Sequence, residues 1–338
     1  MIQNEKIYLC LYKCNIMAKI LTGVQSTGTP HLGNLLGAII PAIELANKSS
    51  EESYFFIANL HALTQIKDPE ILKKNTFATA AAWLAFGLDA KKACFFKQSD
   101  VSEVTELAWY LSCFFPYQRL TLAHSFKDKS DNLKDVNAGL FSYPMLMAAD
   151  ILLYDANIVP VGKDQLQHLE ITRDVGSRFN NLMGDTLVIP EPQLQEESQY
   201  VIGTNGEKMS KSKNNTIDVF LSNEELKKQV MRIKTQSLSV EDKKDPKECN
   251  VFKIYSLIAP PEKTKALGQS YSSGGLGYGD AKEILFSEII QKFQKERDLY
   301  NSFYTNKDQV ENVLKDGAEK ARKQAQVVLK RVRSKVGF

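Results

Sequence analysis

The sequence is poor in the residues that build disulfide frameworks and metal centres. Its 338 residues include five cysteines: Cys10, Cys14, Cys94, Cys113 and Cys249. Their number is odd, their spacing is scattered, and no Cys-x-x-Cys pair occurs, which argues against a disulfide framework and a zinc site. The four histidines, His31, His61, His124 and His168, show no metal-ligand spacing. We therefore expect no protein-borne metal site and a reducing, cytoplasmic environment.

Long apolar runs and a strong charge of one sign are also missing. No run of about 18 apolar residues occurs, so no transmembrane helix is expected. The net charge of +3 permits an anionic partner without requiring one. In residues 1–16 the apolar stretch between Lys6 and Lys13 is too short for a signal peptide and carries no cleavage site, and Met17 is a plausible second translation start. We expect this extension to be dispensable.

Short apolar segments alternate with helical patterns through the first two hundred residues. Residues 19–24, 54–58, 93–97 and 157–161 are apolar and rich in β-branched or aromatic side chains, which predicts buried strands. Helical segments between them indicate β-α-β crossovers and a parallel sheet of α/β class. Residues 182–207 have no clear pattern and are expected to be irregular.

The first helix, predicted over residues 35–47, contains Pro41, which should kink or tighten it. Asp68, Asp100, Ser222 and Asp280 are expected to cap the N-termini of later helices.

Polar side chains follow three of the predicted strands directly. Gln25, His61 and Gln98 stand at strand ends, where the carboxyl edge of a parallel sheet forms a binding crevice. A turn with Gly28 and Gly33 follows the first strand and leads into a helix, an arrangement that can bind an anion. The same glycines could equally serve only to make a tight turn.

Beyond residue 205 the chain changes character. A lysine- and serine-rich loop at residues 208–213 suits phosphate contact, although its composition also fits an exposed loop. The segments that follow read as helices, with a glycine-rich hinge or linker at residues 270–279. The last helix, from about Asp308, is basic, which is typical of a solvated surface but also suits a nucleic-acid backbone.

Asp150 is the one carboxylate in the strongly apolar run from Tyr143 to Tyr154. An acid in such a run either ends a helix or points into an apolar pocket as a specificity group.

Three short motifs occur in a fixed order along the chain. Pro30-His31-Leu32-Gly33-Asn34 follows the first strand, Gly162-Lys163-Asp164-Gln165 follows a later strand, and Lys208-Met209-Ser210-Lys211-Ser212 comes near the predicted domain boundary. They resemble the HIGH, GxDQ and KMSKS motifs of class I aminoacyl-tRNA synthetases, in the order and spacing of the tryptophan and tyrosine subclass. Residues 22–25, 147–154 and 159–162 are similar to the tryptophan members, whereas tyrosine members usually have Gln at the position of Met147.

The resemblance implies a ligase that activates L-tryptophan with ATP to tryptophanyl-adenylate and pyrophosphate, then transfers tryptophan to tRNA(Trp). It implies that ATP is bound by Gln25, Ser26, Thr27, Gly33, Asn34, Gly162, Lys163, Asp164, Val201, Lys208, Met209, Ser210, Lys211 and Ser212. Lys208, Lys211 and Lys129 would be the catalytic residues, because the lysines stabilise charge on the phosphates. Mg²⁺ is expected only as the ion that ATP carries.

The resemblance also implies a tryptophan pocket formed by Asp150, Tyr143, Met147, Ile151, Val161, Gln165 and His61. The indole ring has one polar group, an N–H that only donates, so one carboxylate in an apolar pocket can read it. Taken alone, His61 is more often a hydrogen-bonded core histidine. A tyrosyl-tRNA synthetase on the same scaffold and a non-catalytic tRNA-binding paralogue are the alternatives.

The implied architecture has a Rossmann-type catalytic domain at residues 17–212, with a helical insertion at about 100–140. A helical anticodon-binding domain follows at 213–300, and residues 301–338 form a basic helix that packs back on the catalytic domain. The implied partners are tRNA(Trp), tryptophan, ATP and a second copy of the chain in a homodimer, without a membrane.

Overall fold

Five parallel strands form the centre of the protein. The computed structural model describes residues 19–48, 52–121, 136–162, 165–194 and 201–338. The strands are β1 (Lys19–Val24), β2 (Glu52–Ile57), β3 (Ala93–Lys97), β4 (Ile158–Val161) and β5 (Glu191–Leu194). They lie in the order β3-β2-β1-β4-β5, and every pair is parallel. The predicted α/β fold with a parallel sheet is confirmed.

Helices account for most of the remaining described residues. They are α1 (Leu32–Asn34), α2 (Ile40–Lys48), α3 (Asn59–Ala62), α4 (Pro69–Ala85), α5 (Glu103–Phe114), α6 (Tyr117–Thr121), α7 (Ala138–Leu152), α8 (Leu166–Met183), α9 (Asn223–Met231), α10 (Asn250–Ile258), α11 (Pro261–Ser273), α12 (Tyr278–Thr305) and α13 (Lys307–Val336). None of the helices in these ranges is long and apolar enough to cross a membrane.

Both faces of the sheet are buried, which explains why β2 is apolar or aromatic from Tyr54 to Ile57. Phe55 and Ile57 enter one apolar cluster together with α1, α2 and α4. Tyr54 and Phe56 point into a second cluster that also contains residues of α7, α8 and α13. Successive side chains of a strand face opposite sides, so a strand covered on both sides needs apolar residues at every position.

Pro41 lies within α2 and is accommodated by a change of helix type. Residues Leu35–Ile39, between α1 and α2, form a π-helical turn. A proline has no N–H to donate, and its ring pushes on the carbonyl group four residues earlier, here that of Gly37. The wider π turn before the proline opens the helix where this crowding would occur.

The expectation of irregular structure over residues 182–207 was wrong at β5, which pairs along its length with β4. Its sequence, Glu191-Pro192-Gln193-Leu194, carries a proline and two polar residues, so it lacks the signature of a buried strand. A proline is tolerated there because β5 lies at the edge of the sheet, where a strand has a neighbour on one side only.

The helix-capping predictions are confirmed at Asp68 and Ser222, whose side chains accept backbone N–H groups of their own first turns. They were wrong at Asp100 and Asp280. Asp100 ends a short 3₁₀ turn, and Ser102 precedes α5 without a side-chain cap. Asp280 lies within the first turn of α12, after Gly277. The glycine-rich hinge is also shorter than expected, because α11 continues to Ser273.

The last helix, α13, lies against the edge strand β3. Gly317 crosses the strand so closely that a Cβ atom there would lie 1.8 Å from the carbonyl oxygen of Phe95. Cys94 Sγ donates to the carbonyl group of Gly317 at 3.1 Å, and Lys97 pairs with Glu311 at 2.9 Å. These contacts fix the C-terminal helix on the sheet.

One apolar core runs across the predicted boundary at residues 212 and 213. It joins Leu32 and Met209 to residues of α10 and α12 such as Ile254 and Leu285. The boundary predicted at residues 300 and 301 falls inside α12, which ends at Thr305. The division into domains stays a prediction.

Candidate active site

A cavity of about 530 Å³ opens at the carboxyl ends of β1 and β4. Its lining includes every residue that the sequence analysis assigned to a tryptophan pocket: His61, Tyr143, Met147, Asp150, Ile151, Val161 and Gln165. Gln25 and Gly162, from the predicted ATP set, also line it. Gly23 must lack a side chain here, because a Cβ atom would lie 2.3 Å from Cζ of Phe56.

Asp150 is the buried acid of this cavity. It lies near the end of α7 and is 2% exposed. His61 Nε2 donates to its Oδ2 at 2.8 Å, and Gln98 Nε2 lies 2.7 and 2.8 Å from the two carboxylate oxygens. The Gln98 amide is oriented by its own oxygen, which accepts the N–H of Leu60 at 3.0 Å. The polar residues after β2 and β3 therefore meet on one carboxyl group.

The surroundings of Asp150 shift its pKa in two opposite directions. Burial raises the pKa of Asp150 above its usual range, whereas the hydrogen bonds from His61 and Gln98 oppose this rise. A carboxylate offers about four acceptor positions. It can therefore accept one further donor from a ligand in the cavity.

A cluster of three hydrogen-bonded polar side chains also lines the cavity and connects α7 to α8. Tyr143 Oη lies 2.5 Å from His168 Nε2, and His168 Nδ1 lies 3.2 Å from Gln165 Oε1. His168, which the sequence analysis did not select, is 8% exposed and lines the cavity. Its position one helical turn after Gln165 was the available signal.

The turn after β1 is built around His31. Its Nδ1 accepts the N–H of Asn34, and Asn34 Oδ1 accepts the N–H of His31, so the two residues cap α1 reciprocally. Burial lowers the pKa of His31 to about 4, and the positive charge of Lys211 adds to this effect. Ser26 is fully buried and accepts a hydrogen bond from Thr76 at 3.3 Å.

The lysine- and serine-rich loop is pinned directly to this turn. The N–H of Gly33 donates to Met209 Sδ at 3.3 Å, and the N–H of Leu32 donates to the carbonyl group of Ile217 at 2.8 Å. Met209 is buried, and its own N–H donates to the carbonyl group of Val201. Val201 and Met209 thus belong to the core beside the turn.

Asn215 organises the loop and was missed by the sequence analysis. Its Oδ1 accepts the N–H of Ser210 at 2.7 Å, and its Nδ2 donates to the carbonyl group of Lys208 and to Asn205. The hydroxyl groups of Ser210 and Ser212 lie 2.9 Å apart. One buried amide therefore holds the loop in shape, while Lys208 and Ser212 face outward.

Lys211 reaches from this loop to the turn after β1. A Cβ atom on Gly28 would lie 2.9 Å from Lys211 Nζ. Lys211 is exposed as a whole residue, yet desolvation of its ammonium group lowers the pKa of Lys211, with Asp218 opposing the change. The ammonium group of Lys211 therefore lies beside the turn after β1 and near the hydroxyl groups of its own loop, an arrangement that suits an anionic ligand.

Some predicted site residues cannot be placed in this arrangement. Lys129, Lys163 and Asp164 lie outside the described residues, as do residues 1–16 and part of the predicted insertion. Within the described ranges, no three His, Cys, Asp or Glu side chains group as metal ligands.

The chain is similar to known proteins along most of its length. Residues 15–294 match the family model described as tRNA synthetases class I (W and Y). The tryptophan–tRNA ligase of Campylobacter jejuni strain RM1221 is 46% identical over 321 residues, which cover 95% of this chain and 100% of that protein. The tryptophan–tRNA ligase of Rhodopirellula baltica is 42% identical over 320 residues, 95% of this chain and 99% of that protein.

The fold is likewise similar to that of a solved structure. The crystal structure of tryptophanyl-tRNA synthetase from Campylobacter jejuni complexed with ADP and tryptophan has a TM-score of 0.91 at 46% identity. The match covers 95% of this chain and all of that chain.

Proposed function

The chain belongs to the class I tRNA synthetases for tryptophan and tyrosine, and we propose that its cavity around Asp150 is the tryptophan site. The protein is a tryptophan–tRNA ligase, which activates L-tryptophan with ATP and transfers it to tRNA(Trp). The observation that carries the proposal is the buried Asp150 carboxylate, oriented by His61 and Gln98 within a cavity of amino-acid size.

The polar and apolar groups of the cavity match those of tryptophan. The indole N–H donates to Asp150, while Met147, Ile151 and Val161 surround the carbon atoms of the ring. Phenylalanine is rejected because it would leave the buried carboxylate without that donor. Tyrosine is rejected because its hydroxyl group also accepts a hydrogen bond, and the apolar Met147 offers no donor. Tyr143 and Gln165 carry oxygen atoms that suit the ammonium group of the amino acid.

ATP binds between the turn after β1 and the loop at residues 208–213. The ammonium group of Lys211 and the hydroxyl groups of Ser210 and Ser212 fit phosphate oxygens. Gln25 and Gly162 line the amino-acid cavity and, with Thr27, belong to the proposed ATP site. Lys129, Lys163 and Asp164 belong to the proposed ATP site on the strength of the sequence motifs alone.

The reaction needs no side-chain nucleophile. The carboxylate of tryptophan attacks the α-phosphate of ATP, the new C–O–P bond forms, and the bond to the β-phosphate breaks to release pyrophosphate. Lys208 and Lys211 stabilise the charge that develops on the leaving pyrophosphate, and the cavity holds the carboxylate in line for attack. The described donors suit phosphate rather than a metal, so Mg²⁺ would arrive with ATP and supply additional charge neutralisation there.

The protein acts as a homodimer in the cytoplasm. Trp109 on α5, Tyr117 on α6 and Leu182 on α8 are each more than 60% exposed, and large apolar side chains on neighbouring helices suit burial against a second copy. Free thiols at Cys94, Cys113 and Cys249 fit a reducing compartment. The helices after residue 213 would bind the anticodon of tRNA(Trp).

ATP–pyrophosphate exchange with each amino acid in turn tests the function. Exchange is expected with tryptophan alone, followed by charging of tRNA(Trp). Exchange with tyrosine alone would move the assignment to the tyrosine members. A protein without exchange that still binds tRNA would be a non-catalytic paralogue.

A further inference from the structure

The parallel pairing of β2 and β3 continues past the ends of both strands. The last paired residues are Ile57 and Lys97. Two positions further along each chain segment, Asn59 lies beside Ser99. Asn59 Oδ1 accepts the N–H of Ser99 at 3.0 Å, and Asn59 Nδ2 donates to Ser99 Oγ at 2.8 Å. One side chain therefore makes two hydrogen bonds between the loops where the backbone pairing has stopped.

This contact lies next to the two side chains that donate to the buried acid of the cavity. Gln98 precedes Ser99, and its oxygen accepts the N–H of Leu60 at 3.0 Å, so three hydrogen bonds join the two loops. The first loop contributes His61 Nε2, at 2.8 Å from the carboxylate, and the second contributes Gln98 Nε2, at 2.7 and 2.8 Å. The distance between the loops therefore determines where the two donors lie.

The first loop is also fixed on its other side. Thr64 Oγ1 donates to the carbonyl group of His61 at 2.8 Å, and the carbonyl group of Thr64 accepts a hydrogen bond from Asn137 Nδ2 at 3.0 Å. Asn137 also caps α7, the helix that carries Asp150. One chain of hydrogen bonds thus holds His61 against the helix of the acid, and Asn59 holds the same loop against the second loop.

We propose that Asn59 is a positioning residue for tryptophan recognition, which keeps the donors of the two loops in place on the Asp150 carboxylate. Both carboxylate oxygens accept hydrogen bonds from the loops, so the loops fix the direction in which the remaining acceptor positions point. When the Asn59 contact is lost, the loops can separate, and the carboxylate is no longer held in the orientation that the indole N–H needs. This inference rests on the proposed function.

The test is Asn59→Ala in tryptophan-dependent ATP–pyrophosphate exchange. Asn59 is partly exposed, so the variant should fold, and thermal unfolding checks this. We expect KM for tryptophan to rise roughly 3- to 10-fold, as for the net loss of about one hydrogen bond, with KM for ATP unchanged. Asn59→Asp keeps an oxygen for the N–H of Ser99 and should recover most of the loss. If Asn59→Ala does not fold, Ser99→Ala carries the test, with a smaller rise in KM for tryptophan.

Asn47→Ala is the matched control. Asn47 Nδ2 donates to the carbonyl group of Gly87 at 2.9 Å, and Asn47 Oδ1 accepts the N–H of Asp89 at 3.2 Å. This partly exposed asparagine also makes two hydrogen bonds to a loop, but it joins α2 to the segment after α4. Its replacement should lower the melting temperature about as much as Asn59→Ala does, and KM for tryptophan should stay unchanged.

The double variant Asn59→Ala/Ser99→Ala separates one shared contact from two independent effects. Because both side chains act through the same contact, its KM for tryptophan should equal that of Asn59→Ala. The inference is overturned by an unchanged KM for tryptophan in Asn59→Ala, by an equal rise in KM for ATP, by an equal rise in Asn47→Ala, or by additive losses in the double variant. A wild type without tryptophan-dependent exchange would instead overturn the proposed function.

Discussion

Asp150 accepts hydrogen bonds from two protein side chains before any ligand is considered. The sequence marked it as an acid in an apolar run, and that property is visible because it is local. Its partners lie 52 and 89 residues away along the chain. Their side chains were expected at one crevice because each follows a strand, but their meeting on one carboxylate depends on rotamers and on α7. Such long-range pairing leaves no signature in one sequence.

Replacing Asp150 by Ala should weaken tryptophan binding selectively. The indole N–H loses its acceptor, and a hydrogen bond to a charged group is worth about 1.5–3 kcal/mol. KM for tryptophan in the exchange reaction should rise roughly 10- to 100-fold, with KM for ATP nearly unchanged. A large rise in KM for ATP would make Asp150 a structural residue and its assignment wrong.

His31 should make the protein sensitive to acid. Its pKa falls from 6.5 in the unfolded chain to about 4 in the folded protein, so the folded state prefers the neutral ring. The associated stability is fully present above pH 6.5 and is lost as the pH falls towards 4, to an extent of about 3 kcal/mol. Urea unfolding between pH 7.5 and 4.5 should show this loss in the wild type and not in His31→Asn, whose side chain still caps α1. Parallel pH dependences of the two proteins would contradict the prediction.

Four of the five strands could be predicted from their apolar patterns, and β5 could not. Residues 19–24 and 93–97 match β1 and β3, because aromatic and β-branched side chains mark a strand buried on both faces. β5 escaped prediction because its pairing with β4 comes from the sheet and not from its own residues. Asp100 does not cap α5 because it lies in a 3₁₀ turn that ends before α5 begins. Asn215 carries no sequence signal beyond its proximity to the loop that it holds.

The packing of α13 on β3 should depend on Gly317. A Cβ atom there would lie 1.8 Å from a backbone oxygen, so Gly317→Ala must displace the helix or the strand. We expect a loss of about 3 kcal/mol in the free energy of unfolding, at the upper end for overpacked sites, measured by urea denaturation. Gly279→Ala is the matched control, since a Cβ atom at this helical position meets open space. It should be neutral or stabilise the protein by about 0.5 kcal/mol. Equal stability of both variants would mean that the close contact between Gly317 and Phe95 does not contribute to the stability of the fold.

One apolar core connects the proposed ATP site to the C-terminal helices. The turn after β1, the loop at residues 208–213 and α12 pack into one apolar cluster. Leu32, Met209 and the buried residues of α12 therefore share one core. The sequence could not reveal this continuity, because helical periodicity shows which face is apolar and not which element it meets.

Trp109 offers a test of assembly. With 69% of its surface exposed on α5, its replacement by Glu should place a charge in the proposed dimer interface and yield a monomer by light scattering. Val327→Glu is the control, because Val327 is 59% exposed on α13, outside the predicted insertion. A dimer that survives Trp109→Glu, or a wild type that is monomeric, would contradict the proposed homodimer.

The contact between Gly317 and Phe95 also bears on how the protein is made. A ribosome releases β3 more than two hundred residues before it releases the glycine that covers it. During that interval the edge of the sheet has open backbone groups, which are a template for pairing with other chains. The edge of the sheet at β3 can therefore be covered only after the chain has been synthesised past residue 317. A chain that stops before Gly317 would keep this edge open and should aggregate.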